Sequence, residues 1–208
     1  MRLNIGSGYM SPDKVFAGND WVNIDFAYEP GKEEWKNGTY MKFDLTKAWP
    51  LQYNSIDCIF ASHIFEHFEY KDLYSVLEQC HRVLKVGHPI RIICPDPRVF
   101  ITNWKLLNKQ FLLDCFGKEN CQKFEYDKFP NIGFSDMFFG DHYTHAVCPA
   151  IEILIIMMIR IRFTIIEELR CGNTMFPEYF KERKDVQSVD LQSFDNRPIM
   201  SYYLEAVK

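Results

Sequence analysis

The sequence has 208 residues, of which 47% are hydrophobic and 25% are charged, and its formal net charge is -4. A chain of this length and composition forms one globular domain, which excludes a disordered, collagen-like or low-complexity protein. The acidic balance also argues against a protein that binds nucleic acid through phosphates, because such proteins carry a surplus of Lys and Arg. We therefore expect no nucleic-acid partner.

The seven cysteines are scattered along the chain, and they form neither a CxxC pair nor a zinc-ligand spacing. Most of them lie in apolar runs, where a free Cys behaves as a small hydrophobic residue. This pattern predicts a reducing compartment, and we expect the cytoplasm. The longest apolar stretch, 151–159, is shorter than the ~20 residues that span a membrane, so it predicts a buried helix and no membrane span.

In chain order, the first half of the sequence alternates strand and helix signals. Strands are predicted at 3–5, 21–25, 40–44, 57–61 and 90–94. A helix is predicted between the last two strands, with Asp72 as its cap and Gly87 where it stops. This alternation is typical of an α/β domain with a mostly parallel, doubly wound sheet.

The region 97–148 interrupts this alternation, because it is rich in aromatic residues and contains several Gly and Pro residues. We expect a loop-rich cover, inserted over the carboxyl edge of the sheet, whose rings form a small core or stack on a ring-shaped ligand. After it, the sequence predicts a helix at 149–158, a strand at 162–168 and a last strand at 201–207. The last two strands would close the sheet as an antiparallel pair of a single domain, 1–208.

Three predicted strands end in residues that suit a nucleoside ligand. Gly6-Ser7-Gly8 follows the first strand, and its glycines would let the backbone approach the ligand closely. Asp25 and Asp44 end the next two strands, where carboxylates could accept hydrogen bonds from ribose hydroxyls and from an adenine amino group. Each residue could also be a plain turn or cap residue. Their shared position at successive strand ends favours one binding site.

These segments together resemble class I S-adenosylmethionine-dependent methyltransferases. The resemblance rests on residues 2–8, 21–26, 43–51, 54–68 and 77–96 and, more loosely, on 138–149. Within that family the chain is similar to a small group that modifies sugars and cell-surface glycans, and to methyltransferase modules of large-virus glycan-assembly proteins that act on rhamnose. A viral protein of this kind would work in the host cytoplasm.

The resemblance implies a Rossmann-like class I methyltransferase fold with a mostly parallel seven-stranded sheet, a closing antiparallel strand and an inserted cover. It also implies S-adenosylmethionine as the cofactor and a sugar hydroxyl of a glycan as the acceptor. Carried over by position, it makes these residues cofactor-binding: Asn4, Gly6, Ser7, Gly8, Asp25, Phe26, Asp44, Leu45, Ser62 and His63. Asn4 is a departure, because the family usually has an acidic residue there.

Methyl transfer to a hydroxyl is helped by a general base, and His is the commonest choice near neutral pH. His145 is the first candidate and His142 the second, because both lie just before the predicted helix at 149, in a segment expected to fold over the pocket. His63 is the third candidate. A core or capping role is the alternative for each of them. His67 and His81 are expected to be structural.

Asp96, Arg98 and Asp141 are the predicted substrate-binding residues. The first two follow the fifth strand at the carboxyl edge, although Pro-Asp-Pro at 95–97 is also a strong turn signal. A divalent cation could bind Asp96 and Asp141 together with the two histidines at 142 and 145, but the spacing does not require it. We prefer a hydrogen-bonding cluster and predict no metal.

Two other functions stay open at this point. An NAD-dependent oxidoreductase is disfavoured because the dinucleotide fingerprint needs a third glycine where Ser11 stands. A cofactor-binding scaffold without turnover would keep the same strand-end residues. The residues after the fourth strand lack the Asn/Asp-Pro-Pro-Tyr motif of amine methyltransferases, which argues against an exocyclic amine as acceptor. The start on a strand signal also suggests a module of a larger multidomain chain.

Overall fold

Seven strands form one mixed sheet in the order β3-β2-β1-β4-β5-β7-β6. The computed structural model describes residues 1–7, 20–33, 38–131, 133, 147, 149–180 and 201–208. The strands are β1 (Arg2–Ile5), β2 (Trp21–Ile24), β3 (Thr39–Met41), β4 (Cys58–Ser62), β5 (Pro89–Pro95), β6 (Thr164–Leu169) and β7 (Ser201–Val207). The first five strands pair in parallel, whereas β7 is antiparallel to both β5 and β6. The predicted α/β class and the closing antiparallel strand are confirmed.

The helices connect these strands and cover the sheet. They are a 3₁₀ helix (Phe65–His67), α1 (Tyr70–Val83), α2 (Pro97–Lys105), α3 (Lys109–Lys123), α4 (Ile151–Ile161) and α5 (Pro177–Phe180). Helix α1 begins one residue after Glu69, so the prediction that Asp72 caps it is wrong, and Asp72 lies in its first turn instead. Gly87, with a φ of 79°, lies in the turn before β5, beyond the end of the helix.

The main core lies between one face of the sheet and the helices α1 and α4. Leu3 and Ile5 of β1 point to this face, whereas the alternating residue Asn4 points to the other face, as the period of a strand requires. The second face has a smaller core, in which Phe60 and Tyr203 pack against Phe180 of α5. Two different layers therefore hold the sheet that carries the strand ends.

Helix α4 forms where the sequence predicted a buried helix, but it is buried along one side only. Its buried residues are Ile151, Leu154, Met158 and Ile161, and its exposed isoleucines are Ile153, Ile156 and Ile159. The sequence did not predict which side of the helix packs against the core, because apolar residues lie on both sides. None of the helices in the described part of the chain is long and apolar enough to cross a membrane.

Residues 97–105 and 109–123 form helices, within the region 97–148 for which the sequence predicted a loop-rich cover. Helices α2 and α3 pack around a separate core that includes Phe100, Phe111 and Tyr126. Asp96 caps α2 by accepting a hydrogen bond from the backbone N–H of Arg98, and Pro97 stands in the first turn. An Asp followed by Pro is thus a helix start here, because Pro fits the first turn, where its missing N–H is not needed.

Candidate functional site

The loops after β1, β2 and β3 lie side by side at the carboxyl edge of the sheet. The backbone N–H groups of Gly6 and Ser7 both donate to the carbonyl oxygen of Ile24, at 2.9 Å and 3.2 Å. The N–H of Asp25 donates to the carbonyl oxygen of Met41 at 3.3 Å. These bonds bring the glycine turn next to the end of β2, as the sequence predicted from successive strand ends.

Gly6 lies where only glycine fits. Its φ is 66°, and a Cβ added to it would lie 2.4 Å from Cγ1 of Ile64. Ile64 belongs to the loop after β4, so the first and fourth loops touch at the point where the sheet order reverses direction. Ligands of open α/β sheets bind at this switch point, and a turn without side chains leaves backbone N–H groups close to such a ligand.

Asp25 follows β2 directly, and its carboxylate oxygen Oδ1 accepts a hydrogen bond from the N–H of Ala27 at 2.8 Å. The next side chain, Phe26, is 70% exposed. A carboxylate beside a solvent-facing aromatic ring suits a ribose with its attached base, because the carboxylate accepts from hydroxyls and the ring packs on a flat surface. The residues present therefore fit a nucleoside.

Asp44 lies three residues beyond Met41, the last residue of β3, so the prediction that Asp44 ends this strand is wrong. Its Oδ1 accepts from the Thr46 hydroxyl at 2.7 Å and from the Thr46 N–H at 2.9 Å. These two hydrogen bonds hold the pKa of the Asp44 carboxyl below its ordinary value. Leu45 beside it is buried, and its carbonyl oxygen accepts from Nε1 of Trp49. Asp44 is thus a fixed anion at the rim of the site.

Asn4 is buried in β1, and its side-chain amide donates to Oδ1 of Asn23 in β2 at 2.9 Å. The amide of Asn23 in turn donates to the carbonyl oxygen of Thr39 at 3.3 Å. The side chain of Asn4 therefore contacts Asn23 within the sheet. The structure shows that its amide stabilises the sheet below the glycine turn.

His63 follows Ser62, the last residue of β4, and has a φ of 51°, which is unusual for a residue with a side chain. Its Nδ1 lies 3.0 Å from Oε1 of Glu66, and its Nε2 lies 3.2 Å from Oγ of Ser201. His63 was predicted from the sequence, but neither of its partners was. The His-x-x-Glu spacing was a signal for Glu66, whereas nothing local pointed to Ser201.

Two predicted substrate-binding residues, Asp96 and Arg98, form an ion pair with an Nη2–Oδ2 distance of 2.8 Å. The same guanidinium reaches Glu168 of β6 at 2.5 Å. The structure therefore gives both residues contacts that fix the start of α2 against the sheet. Gly8, Asp141, His142 and His145 lie outside the described residues. Within the described ranges, no group of three or more His, Cys, Asp or Glu side chains could hold a metal ion.

Comparison with known proteins relates this arrangement to one enzyme family. Residues 3–90 match the family model of a methyltransferase domain. No curated protein sequence matches the chain. Among solved structures, an S-adenosylmethionine-dependent methyltransferase from Archaeoglobus fulgidus is similar with a TM-score of 0.59 and 16% identity, over 100% of this chain and 85% of that one.

An S-adenosylmethionine-dependent methyltransferase from Mesorhizobium loti is similar with a TM-score of 0.55 and 13% identity, over 100% of this chain and 90% of that one. Identities this low show a similarity of fold alone. The segment that matches the family model contains Gly6, Asp25, Asp44 and His63. The chain thus has the Rossmann-like fold of class I methyltransferases and a segment similar to their domain family, and S-adenosylmethionine is the cofactor that these findings support.

Proposed function

We propose that this protein transfers a methyl group from S-adenosylmethionine to a hydroxyl of a sugar, such as rhamnose, in a glycan. The observation that carries the proposal is the meeting of the Gly6 turn, Asp25, Asp44 and His63 at one edge of the sheet. Three of these features suit the nucleoside cofactor, and the fourth is a side chain that can accept a proton.

When bound, the cofactor supplies a methyl group whose carbon–sulfur bond breaks with its electron pair left on sulfur. The protein's own work is to hold the acceptor oxygen in line with that methyl group, to exclude water and to remove the hydroxyl proton. Asp25 would hold the ribose hydroxyls, and Asp44 with Leu45 would hold the adenine. Gly6 and Ser7 would line the methionine end of the pocket.

A hydroxyl fits as the acceptor better than an exocyclic amine does. β4 ends in Ala61-Ser62 and continues into His63-Ile64, without the Asn/Asp-Pro-Pro-Tyr motif that holds a planar amine. A neutral imidazole at that place can accept the proton that a sugar hydroxyl must lose. Asp96, Arg98 and Asp141 remain our proposed contacts to the sugar.

His145 and then His142 were the sequence-based choices for the general base. Val147, two residues after His145 in the sequence, donates its backbone N–H to the carbonyl oxygen of Glu66 at 3.0 Å. Glu66 is the residue that contacts His63, so this bond supports a role for the histidine-containing segment at the same edge. We also propose a reducing compartment such as the cytoplasm, because cysteines such as Cys58, Cys80 and Cys121 are buried as small hydrophobic residues.

Calorimetry with S-adenosylmethionine, S-adenosylhomocysteine and NAD tests the cofactor, and we expect micromolar binding of the first two and none of NAD. A screen of sugar acceptors that includes rhamnose-containing oligosaccharides then tests the reaction, with product mass as the readout. The variant His145→Ala separates the candidate bases, since loss of a general base lowers turnover about 10²-fold while cofactor affinity stays. Binding without transfer to any hydroxyl would reject the enzyme and favour a scaffold.

A further inference from the structure

Three polar side chains form a continuous hydrogen-bonded series across the carboxyl edge of the sheet. Oε1 of Glu66 lies 3.0 Å from Nδ1 of His63, and Nε2 of His63 lies 3.2 Å from Oγ of Ser201. Glu66 is fully buried, whereas the His63 side chain is 21% exposed. The series therefore runs from the buried Glu66 through the partly exposed His63 to Ser201, which is 9% exposed.

The charge of Glu66 fixes which nitrogen of His63 carries the proton. Burial by itself raises the pKa of the Glu66 carboxyl, but hydrogen bonding and attraction from His63, together with a smaller attraction from His67, hold it below its ordinary value. An ionised carboxylate only accepts hydrogen bonds, so Nδ1 of His63 must donate to it. In the neutral ring Nε2 is then the acceptor, and the hydroxyl of Ser201 donates to it.

The position of the series relates it to the methyl-transfer site. His63 follows β4, and Ser201 begins β7 opposite Pro95, the last residue of β5. The next residue after His63 is Ile64, which packs directly against Gly6 of the cofactor turn. Nε2 of His63 is thus held on the same edge as the glycine turn, one residue away from a side chain that touches it.

We propose that Ser201 and His63 form a proton relay for the acceptor hydroxyl, and that Glu66 is the positioning residue. The acceptor's proton passes to Oγ of Ser201 while the Ser201 proton passes to Nε2 of His63, and the resulting imidazolium lies against the Glu66 carboxylate. This inference rests on the proposed function, because it needs a hydroxyl acceptor. In this proposal the proton ends on His63, whereas the sequence favoured His145 as the general base.

The backbone at His63 adopts a conformation that is unusual for a residue with a side chain. A φ of 51° is unfavourable for a residue with a Cβ, and such strain persists where other contacts enforce it. The His63 N–H donates to the carbonyl oxygen of Ile93, and both ring nitrogens are engaged as described. These three contacts hold the His63 ring in place at the end of β4.

The first test uses the cofactor-free protein and does not depend on activity. Long-range ¹H–¹⁵N NMR spectra of the histidine side chains report which ring nitrogen is protonated, and His63→Gln identifies the His63 signals by their loss. We expect the neutral ring to be protonated at Nδ1. In Glu66→Gln the amide can present an N–H to Nδ1, so the Nε2-protonated form should appear. A wild-type His63 protonated at Nε2 would overturn the inference.

The second test separates turnover from binding. Ser201→Ala should lower kcat at least ~10-fold and Glu66→Gln about 10²-fold, with cofactor affinity unchanged. Ser201→Thr restores a hydroxyl and should recover most of the rate. The control is His81→Gln in α1, whose ring packs edge-on against Phe163, and it should keep the wild-type rate.

Failure of this inference and failure of the proposed function give different results. If the wild type transfers no methyl group to any hydroxyl, the proposed function is wrong. If the wild type transfers and Ser201→Ala does so at the same rate, the relay is wrong and the proposed function stands. Covalent labelling of Ser201 by a fluorophosphonate, at a rate that depends on His63, would also overturn the relay, because it would mark Ser201 as a nucleophile.

Discussion

The side-chain amide of Asn4 donates to the side-chain oxygen of Asn23, its directly opposite partner on β2, at 2.9 Å. Both residues are buried, and the side-chain amide of Asn23 donates to the carbonyl oxygen of Thr39. Class I methyltransferases, which the chain resembles, usually have an acidic residue at the position of Asn4. Here two neutral amides join three strands beneath the glycine turn, without the desolvation cost of a buried charge.

The Asn4–Asn23 contact predicts a measurable coupling in stability. Asn4→Ala and Asn23→Ala each leave a buried polar group without its partner, and each should cost about 1–3 kcal/mol in the free energy of unfolding. The double variant should cost about 1 kcal/mol less than the sum, because the second change removes the unmatched group. Urea unfolding of all four proteins measures this, and strictly additive losses would contradict it.

Asp25→Ala should weaken S-adenosylmethionine binding at least ~10-fold, which equals about 1.4 kcal/mol, because it removes the acceptor for the ribose hydroxyls. Calorimetry measures the affinity. The matched control is Asp20→Ala, since Asp20 precedes β2 at the opposite edge of the sheet and pairs with Arg2 at 3.0 Å. Equal affinities of the wild type and Asp25→Ala would reject the ribose assignment.

Gly6→Ala should destabilise the protein far more than Gly87→Ala does. Both glycines have positive φ values, so alanine at either position is strained by about 1–2 kcal/mol. Only at Gly6 would the new Cβ also meet a neighbour, Ile64, whereas nothing lies within 4 Å at Gly87. The clash should add about 1–3 kcal/mol, and Ile64→Ala in the same chain should recover part of it. Urea unfolding midpoints measure the loss of stability in each variant. Similar losses of stability at both glycines would disprove the close contact.

Asp44 gives a prediction for stability at acid pH. Hydrogen bonds from Thr46 hold the pKa of the folded Asp44 carboxyl below its ordinary value of 3.8. The ionised form therefore stabilises the fold above that pH, and this contribution is lost as the pH falls through the lower folded value. Thr46→Val removes the hydroxyl donor, so the folded pKa should rise towards 3.8 and the acid-side loss of stability should shrink.

Carboxyl ¹³C NMR titration measures the pKa of Asp44 directly, and urea unfolding at about pH 7 and about pH 3 measures its effect on stability. Thr102→Val is the control, because the Thr102 hydroxyl donates to the carbonyl oxygen of Arg98 and meets no carboxylate. An Asp44 pKa that does not move in Thr46→Val would show that the backbone N–H alone sets it.

The strand-end residues could be predicted from the sequence because they depend on local order along the chain. The glycine turn and Asp25 each directly follow a short apolar run, so both were placed at the carboxyl edge. Helix α1 was recognisable from the helical spacing of its buried face. Helix α2 was missed because Asp-Pro was interpreted as a turn, although the same pair is a helix start signal.

The contact between His63 and Ser201 could not be predicted, because it joins residues 138 positions apart. It depends on β7 entering the sheet beside β5 in one register, which aligns Ser201 with Pro95. No local pattern in residues 201–207 predicts that alignment. The buried side of α4 was also hard to predict, since Glu152 and Arg160 are its only charged residues and isoleucines lie on both sides.

Strand β7 lies between β5 and β6 but follows both of them in the chain. The proposed cofactor-binding loops and both neighbouring strands are therefore synthesised before the strand that joins them. Until then β5 has an open edge and β6 has no partner in the sheet, and His63 lacks its contact with Ser201. Pairing over so long a sequence separation is also slow to form. The proposed relay contact between His63 and Ser201 can therefore form only after β7 has been synthesised, later than the strands that carry the proposed cofactor-binding loops.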